Sequence, residues 1–266
     1  MGHSLRMSVA GLTDVGRTRE HNEDCYLVWN VAGGEFVAAG ATEIVPHDQG
    51  VLIAVCDGMG GAAAGEKASA LAVETLRDRA QSVAGADLAD LEVAGDWLSD
   101  AVVEADRRIL DAAEADSDMK GMGSTCTAVI VLPEGLTMAH VGDSRAYHLR
   151  DGTLRQISVD HSYVGQLVAL GRISPEEARV HDQRNLLLQV LGLGRPLEVD
   201  RVQVDVDPDD WLLLCSDGLY DLVDDRELRE ELLRNTDPAG ACRNLVDLAN
   251  ERGGRDNITV VVARIE

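Results

Sequence analysis

The sequence predicts an α+β fold built on a mostly antiparallel sheet core. Short apolar runs follow one another closely in the second half, separated by Pro-Glu-Gly, Gly-Asp and Asp-Gly turns. Helical periods come in pairs instead of alternating with single strands, which argues against regular βαβ units. No repeat of solenoid length and no low-complexity linker divides the 266 residues. A single domain of that size buries roughly three quarters of its unfolded surface and needs no staples.

From the N-terminus, residues 1–6 carry no pattern and read as a loose end. Strands rich in Val, Leu and Ile are expected at about 7–13, 24–30 and 50–56, with a loop or hairpin excursion over 31–49. A helix follows over 63–80, with Ala68, Leu71, Ala72, Thr75 and Leu76 on one face. The stretch 85–95 reads as a connection, and a second helix over 96–115 repeats through Leu98, Val102, Ala105, Ile109 and Ala112. Strands at about 123–132, 136–141, 144–150 and 153–158 come next, then a mostly helical, turn-rich insert over 160–195. Strands at 199–206, 210–215 and 258–265, with helices at 225–235 and 238–251, complete the pattern. Aromatic residues are only 3% of the chain against 45% hydrophobic, so the core must be aliphatic.

Charge narrows the function classes. Lys and Arg number 24 against 47 Asp and Glu, a net charge of −23. Such a field repels phosphate backbones and anionic lipid and attracts divalent cations, so neither a nucleic acid nor a membrane surface is expected as partner. No window of about 18 apolar residues and no signal peptide is present, so no span or export tag is expected. The five cysteines are odd in number, lack C-x-x-C spacing and several lie in apolar runs. The chain reads as a reduced, cytoplasmic protein.

Three apolar strands run into carboxylates: Val51–Cys56 into Asp57-Gly58, Trp211–Ser216 into Asp217-Gly218, and Met138–Val141 into Gly142-Asp143. Asp-Gly is ordinary turn chemistry, but helical sequence follows the first two pairs, and each sets a carboxylate against a buried run, where an unpaired charge is costly. Carboxylates gathered at strand ends call for a cation, and an all-oxygen donor set selects a hard one, magnesium or manganese. Glu23-Asp24, opening a strand, and Asp256-Asn257, preceding the last one, add acids that singly read as surface. Gly58–Ala63 satisfies G-x-G-x-x-A after a strand and before a helix. Asp57 would there oppose a pyrophosphate, and no second parallel strand with a ribose-binding acid follows. His140, His148 and His161 lack ligand spacing and read as structural or solvated.

The ordered set TDVGRTREHNED, VCDGMGGAAAGEKAS, GSTCTAVIV, AHVGDSRAYHLRDG, CSDGLYDLV and GGRDNITVVV, running from Thr13 to Val262, resembles the metal-dependent protein phosphatases of the 2C type, in particular bacterial-type serine/threonine members. The resemblance implies a four-layer α/β/β/α sandwich of two mostly antiparallel sheets, with one catalytic domain over 7–266 and a flap-like segment at about 160–195. It implies hydrolysis of phosphoserine and phosphothreonine by a water bridging two Mn2+ or Mg2+ ions, with no covalent enzyme intermediate. Asp57 resembles the carboxylate bridging both ions, and Gly58 would offer its carbonyl to one of them. Asp217 and Asp256 match the other carboxylates of the first ion, Glu23 an acid near the second, and Asp24 one that holds metal-bound water. Arg19 stands at the phosphate-binding arginine, whereas Arg17 does not match. Asp143 resembles the ligand of a third, weaker ion, with Asp217 the candidate to share it, and Asn257 supports the site.

Eukaryotic relatives carry a histidine two residues after the bridging aspartate. Here that position is Met59, which donates no proton. Partners implied are phosphorylated proteins, substrates of a serine/threonine kinase, met by a monomer. Two alternatives stay open at this point: a phosphatase-fold scaffold with weak catalysis, and a phosphatase acting on small phosphoesters.

Overall fold

The computed structural model of the chain describes residues 6–31, 33–36, 42–44, 50–83, 88 and 90–266. In chain order the elements are β1 (Met7–Asp14), β2 (Asp24–Asn30), β3 (Glu35–Phe36), β4 (Thr42–Ile44), β5 (Val51–Met59), α1 (Ala62–Ser82) and α2 (Leu91–Ala115). They continue with β6 (Gly123–Ser124), β7 (Cys126–Leu132), β8 (Gly135–Val141), β9 (Arg145–Arg150), β10 (Thr153–Gln156), α3 (Tyr163–Ala169) and α4 (Pro175–Arg179). The last are β11 (Asp200–Val204), β12 (Trp211–Cys215), α5 (Asp217–Tyr220), α6 (Asp225–Arg234), α7 (Pro238–Glu251) and β13 (Ile258–Ile265).

One sheet runs β10-β9-β12-β13-β1-β4 and the other β11-β8-β7-β5-β2-β3, with β6 extending β5. Neighbouring strands in both are antiparallel, as expected and as a βαβ nucleotide fold is not. Side-chain alternation explains the layering. On β5, Leu52, Ala54 and Cys56 pack under α1 and α2, while Val51, Ile53 and Val55 face the other sheet. On β13, Val261 and Ala263 point to that same inter-sheet core, whereas Ile258, Val260 and Val262 pack against α5, α6 and α7. The result is the expected α/β/β/α sandwich, its core built from Val, Leu, Ile and Ala.

Three differences from the sequence reading have local causes. First, α2 begins at Leu91, inside the stretch read as a connection, because the Asp90 carboxylate caps the amides of Glu92 and Val93 at 2.7 and 3.3 Å. Residues 84–87 and 89 of that stretch lie outside the described residues. Second, Asp57-Gly58 is not a turn: β5 runs on to Met59, paired with Gly123 and Ser124 of β6. Third, Thr125 splits the strand expected over 123–132 into β6 and β7. The expected excursion at 31–49 is described only in part, by β3 pairing with β2 and β4 with β1. Of the N-terminal stretch, residues 1–5 lie outside the described residues, and Arg6 exchanges backbone hydrogen bonds with Glu266 at 3.2 and 2.7 Å.

Candidate metal centre and active site

The candidate residues meet at one end of the sandwich, where strand ends of both sheets converge. From one sheet, Asp24 opens β2 directly opposite Asp57 on β5. Two carboxylates facing each other across an antiparallel pair repel, so this register is adverse without a cation. The next residue, Gly58, lies against α1. A Cβ there would overlap the Gly65 carbonyl oxygen, so only glycine lets the helix seat at this depth. The Gly58 amide donates to the Glu23 carbonyl at 3.1 Å, which also accepts from Ser69 Oγ of α1 at 2.6 Å. Glu23, Gly58 and α1 are thereby fixed together.

The other sheet supplies Asp217, the first residue of α5, and Asp256, two residues before β13. Gly218 lies flat on Asn257, where a Cβ would strike its carbonyl oxygen. Asn257 ties the β1–β2 loop down. Its Nδ2 donates to the carbonyls of Val15 and His21 at 3.0 and 2.9 Å, and its Oδ1 accepts the Glu23 amide at 2.8 Å. It is therefore a clamp, in keeping with the supporting place expected for it. Ser216 links the sheets: its hydroxyl donates to Asp24 Oδ2 at 2.6 Å and accepts the Thr259 amide at 3.0 Å.

Electrostatics set this end apart. Burial, with Asp256 nearby, holds the Asp24 carboxyl up to about 6, against which its hydrogen bonds from Ser216 and Thr259 pull down. Burial pushes Asp57 well above the usual range, helped by the charges of Asp24, Asp217, Asp143 and Asp256. Asp217 is raised well above it too, by burial and then by Asp143 and Asp256. Burial and the neighbouring Asp160 raise Asp143 to about 7, with Arg145 opposing. Glu23 is raised by burial although Arg19 opposes it. Asp57, Asp143 and Asp217 keep some solvent contact, but their carboxylates sit deep among protein atoms and one another.

Arg19 lies half-exposed across this cluster, its Nη2 donating to Asp256 Oδ2 at 2.7 Å. That bond raises the guanidinium pKa further. Sequence alone left Arg19 as a phosphate-binding arginine or a plain charge partner, and here it pairs with Asp256. Arg17, two residues earlier, is exposed and has its backbone amide pinned to the Gly254 carbonyl at 2.7 Å. Met59 is exposed at the end of β5 and offers no proton donor.

Asp143 sits between β8 and β9 at the mouth of a cavity of about 330 Å3 beneath the 160–195 segment. Asp217 and Tyr220 of α5, Arg145, and Val164, Val168 and Arg179 of the insert line it. Sequence reasoning quoted GSTCT and CSDGLYD but gave no task to Thr125, Ser124 or Ser216. Thr125 Oγ1 accepts the Asp57 amide at 2.8 Å, and the Thr125 amide and Ser124 Oγ both donate to the Asp57 carbonyl at 2.9 and 3.1 Å. The signal was available: three hydroxyls at the ends of apolar strands, all fully buried or nearly so, need partners there. His140, His148 and His161 are held by hydrogen bonds within the fold. His140 bonds Thr127 and the Val159 carbonyl, His148 bonds Asp210, and His161 accepts the Gly142 amide.

A hard divalent cation fits this set. The donors are all oxygen, Asp24 Oδ1 is buried without a hydrogen-bond partner, and the mutual repulsion of the carboxylates has no equal local compensation. Among the described residues, no three acidic, histidine or cysteine side chains already stand in ligating geometry; Asp256 is turned onto Arg19.

Comparisons with known proteins agree with this arrangement. The family model described as Protein phosphatase 2C matches residues 38–249. The serine/threonine phosphatase stp of Listeria monocytogenes is 38% identical over 250 residues, covering 94% of this chain and 92% of that protein. The serine/threonine protein phosphatase PstP of Mycobacterium tuberculosis is 40% identical over 265 residues, covering 98% of this chain and 46% of that longer protein. The crystal structure of the M. tuberculosis serine/threonine phosphatase PstP/Ppp superposes with a TM-score of 0.81 at 38% identity, covering 98% of this chain and 99% of that one. The PstP catalytic domain in complex with two manganese ions superposes with a TM-score of 0.80 at 37% identity, over 98% and 99% of the two chains. With the model matched over most of its length and relatives of this identity along nearly all of it, this chain belongs to the protein phosphatase 2C family.

Proposed function

We propose that this chain is a metal-dependent serine/threonine protein phosphatase whose catalytic centre is the carboxylate cluster between the two sheets. The observation that carries the reading is the convergence of Asp24, Asp57, Asp143, Asp217 and Asp256, in which Asp57 is raised by the charges of all four others. Asp57 would bridge two ions, Mn2+ or Mg2+. Asp217, Asp256 and the Gly58 carbonyl would complete one site, Glu23 would serve the other, and Asp143 with Asp217 would hold a weaker third. When bound, such ions screen the phosphate dianion and make water a competent nucleophile.

The chain's own groups do the rest. Asp24, joined to Ser216, is placed to orient the attacking water through its free Oδ1. Asp256 must leave Arg19 to serve a cation, and its departure frees the guanidinium fork for the phosphate oxygens. Loading the site and preparing it for substrate thus become one event. With Met59 inert, the leaving alkoxide takes its proton from water or another group.

The substrates in this reading are phosphorylated proteins, products of a serine/threonine kinase, met by a monomeric catalytic domain over 7–266 in the cytoplasm, with 160–195 as its flap. The five free cysteines support a reducing compartment, and among the described residues no helix is long and apolar enough to cross a membrane. The intact carboxylate set disfavours a catalytically silent scaffold. A screen of phosphopeptides, phosphoproteins and matched small phosphoesters with manganese, with and without chelator, tests the reading. Preferred turnover of phosphoproteins, lost on chelation, is expected; preference for small phosphoesters, or indifference to chelator, overturns it.

A further inference from the structure

Asp143 lies in the turn that leads from β8 into β9, and Asp217 lies just past β12, which pairs with β9 through Arg145 and Cys215. A single side chain also reaches from one to the other. Tyr220 ends α5, one helical turn beyond Asp217. Its ring is 6% exposed, and its hydroxyl donates to the Asp143 carbonyl at 3.1 Å. Above the ring, 3.7 Å from its centroid, lies the Arg145 guanidinium. Arg145 is itself held: its Nε reaches both Asp160 oxygens at 3.1 Å, its Nη2 reaches Oδ2 at 2.7 Å, and its Nη1 donates to the Tyr147 hydroxyl at 3.2 Å. The ring is thereby clamped between its own helix and a fixed cation.

The residues flanking Asp143 are tied elsewhere. Gly142 exchanges hydrogen bonds with His161, and the Ser144 hydroxyl pairs with Thr125 Oγ1 at 2.7 Å. Those bonds fix the turn to the sheet of β8 and to the insert, and the β9–β12 pairing holds it near Cys215; the Tyr220 hydroxyl fixes it to the helix that carries Asp217. A buried tyrosine hydroxyl needs some acceptor, and here the acceptor is the main chain of one candidate ligand while the donor rides on the helix of the other.

We propose that Tyr220 is a positioning residue that sets the spacing of Asp143 and Asp217 for the third, weaker cation. The proposal rests on the reading of those two aspartates as ligands. The test is manganese binding to the full chain by titration calorimetry, with thermal denaturation across manganese concentrations and kinetics on an aryl phosphate. Tyr220→Phe should keep two tight ions, weaken the third about five- to tenfold, as loss of one net hydrogen bond implies, and lower kcat at limiting manganese with KM unchanged. Tyr147→Phe removes a hydroxyl that also touches Arg145 but does not reach Asp143, and should leave the third ion unchanged. Unaltered third-ion affinity in Tyr220→Phe, or an equal shift in Tyr147→Phe, overturns the proposal. Should Tyr220→Phe fail to fold, Asp160→Asn, which releases Arg145 from above the ring, should weaken the third ion in the same direction, and no change there overturns it. A wild type that binds only two ions overturns the ligand reading of Asp143 itself, a different result from a Tyr220 variant that matches wild type.

Discussion

The two ends of β12 carry the same side chain to opposite effect. Asp210 immediately precedes the strand and Asp217 lies just beyond it. Asp210 is 2% exposed, yet it accepts Arg150 Nε at 3.0 Å, His148 Nε2 at 2.8 Å and the Asp207 amide at 2.9 Å. Burial pushes its pKa up, but these partners outweigh it and hold the carboxyl below the usual range. Asp217 is also desolvated by burial, but with four further acids beside it, and rises well above that range. A buried aspartate supplied with cations by its own strands is architecture. One denied them, beside others denied them, is a binding site awaiting charge from outside.

The contrast predicts that removing the two kinds of acid gives opposite phenotypes. The largest effect belongs to the cation end. Asp57→Asn should lower kcat by at least about a thousandfold, roughly 4 kcal/mol, while its metal-free melting temperature equals or exceeds wild type because a repulsion is relieved. Near-normal turnover in that variant would break the comparison at its catalytic side. At the other end, Asp210→Asn removes the buried charge that His148 and Arg150 share, leaving Arg150 with Asp207 and the Asp205 carbonyl, and should cost about 2–3 kcal/mol of unfolding free energy, with kcat unchanged while folded. Urea denaturation and steady-state kinetics on the same preparation would expose a reversal of these assignments.

Arg19→Ala sharpens the catalytic side. It should lose roughly 1.5–3 kcal/mol in kcat/KM for phosphate engagement, and Arg17→Ala far less; equal losses would mean that position 19 has no special place. The smallest effect is in pH. Asp24 and Asp143, raised to about 6 and about 7, hold protons in the folded state that the unfolded chain has released above roughly pH 4. Their contribution is full below that point and fades as pH rises through 6 to 7. Asp210, lowered, contributes above the usual carboxylate range and loses its effect on acidification. His140, held neutral to about 4 by burial, adds stability as pH rises, so the clean quantity is the difference with and without manganese. The manganese-induced gain in melting temperature should be small at pH 5 and grow by 7.5, as cations replace departing protons. A gain independent of pH would count against the proposed ligands.

Much of the fold was legible because alternation is a local signal. Val51, Ile53 and Val55 announce one face of β5 and Leu52, Ala54 and Cys56 the other. The start of α2 was hidden by Gly95 within its second turn, although Asp90 was a readable cap. The strand expected to stop at about 56 runs on through Asp57-Gly58 to Met59, because sequence cannot reveal that Gly65 of α1 will press on Gly58. Four-residue α5 is too short to show a period. The candidate residues came from ordered motifs, and the structure brings those candidates to one end of the sandwich. What the motifs lacked were pairings across the chain: Arg19 with Asp256, Ser216 with Asp24, and Tyr220 with Asp143. Each joins segments that only the folded sheets make neighbours.

That dependence reaches back to synthesis. β1 pairs with β13 over eight consecutive positions, from Met7↔Ile265 to Asp14↔Ile258. β1 therefore waits for β13 to be made, and the β1–β2 loop bearing Arg19 and Glu23 waits with it for Asp256 and Asn257. Closing so long a loop before any contact rewards it makes folding slow. A nascent chain halted before residue 256 lacks the partners that pin this loop, so the carboxylate cluster stays incomplete until Asp256 and Asn257 have emerged.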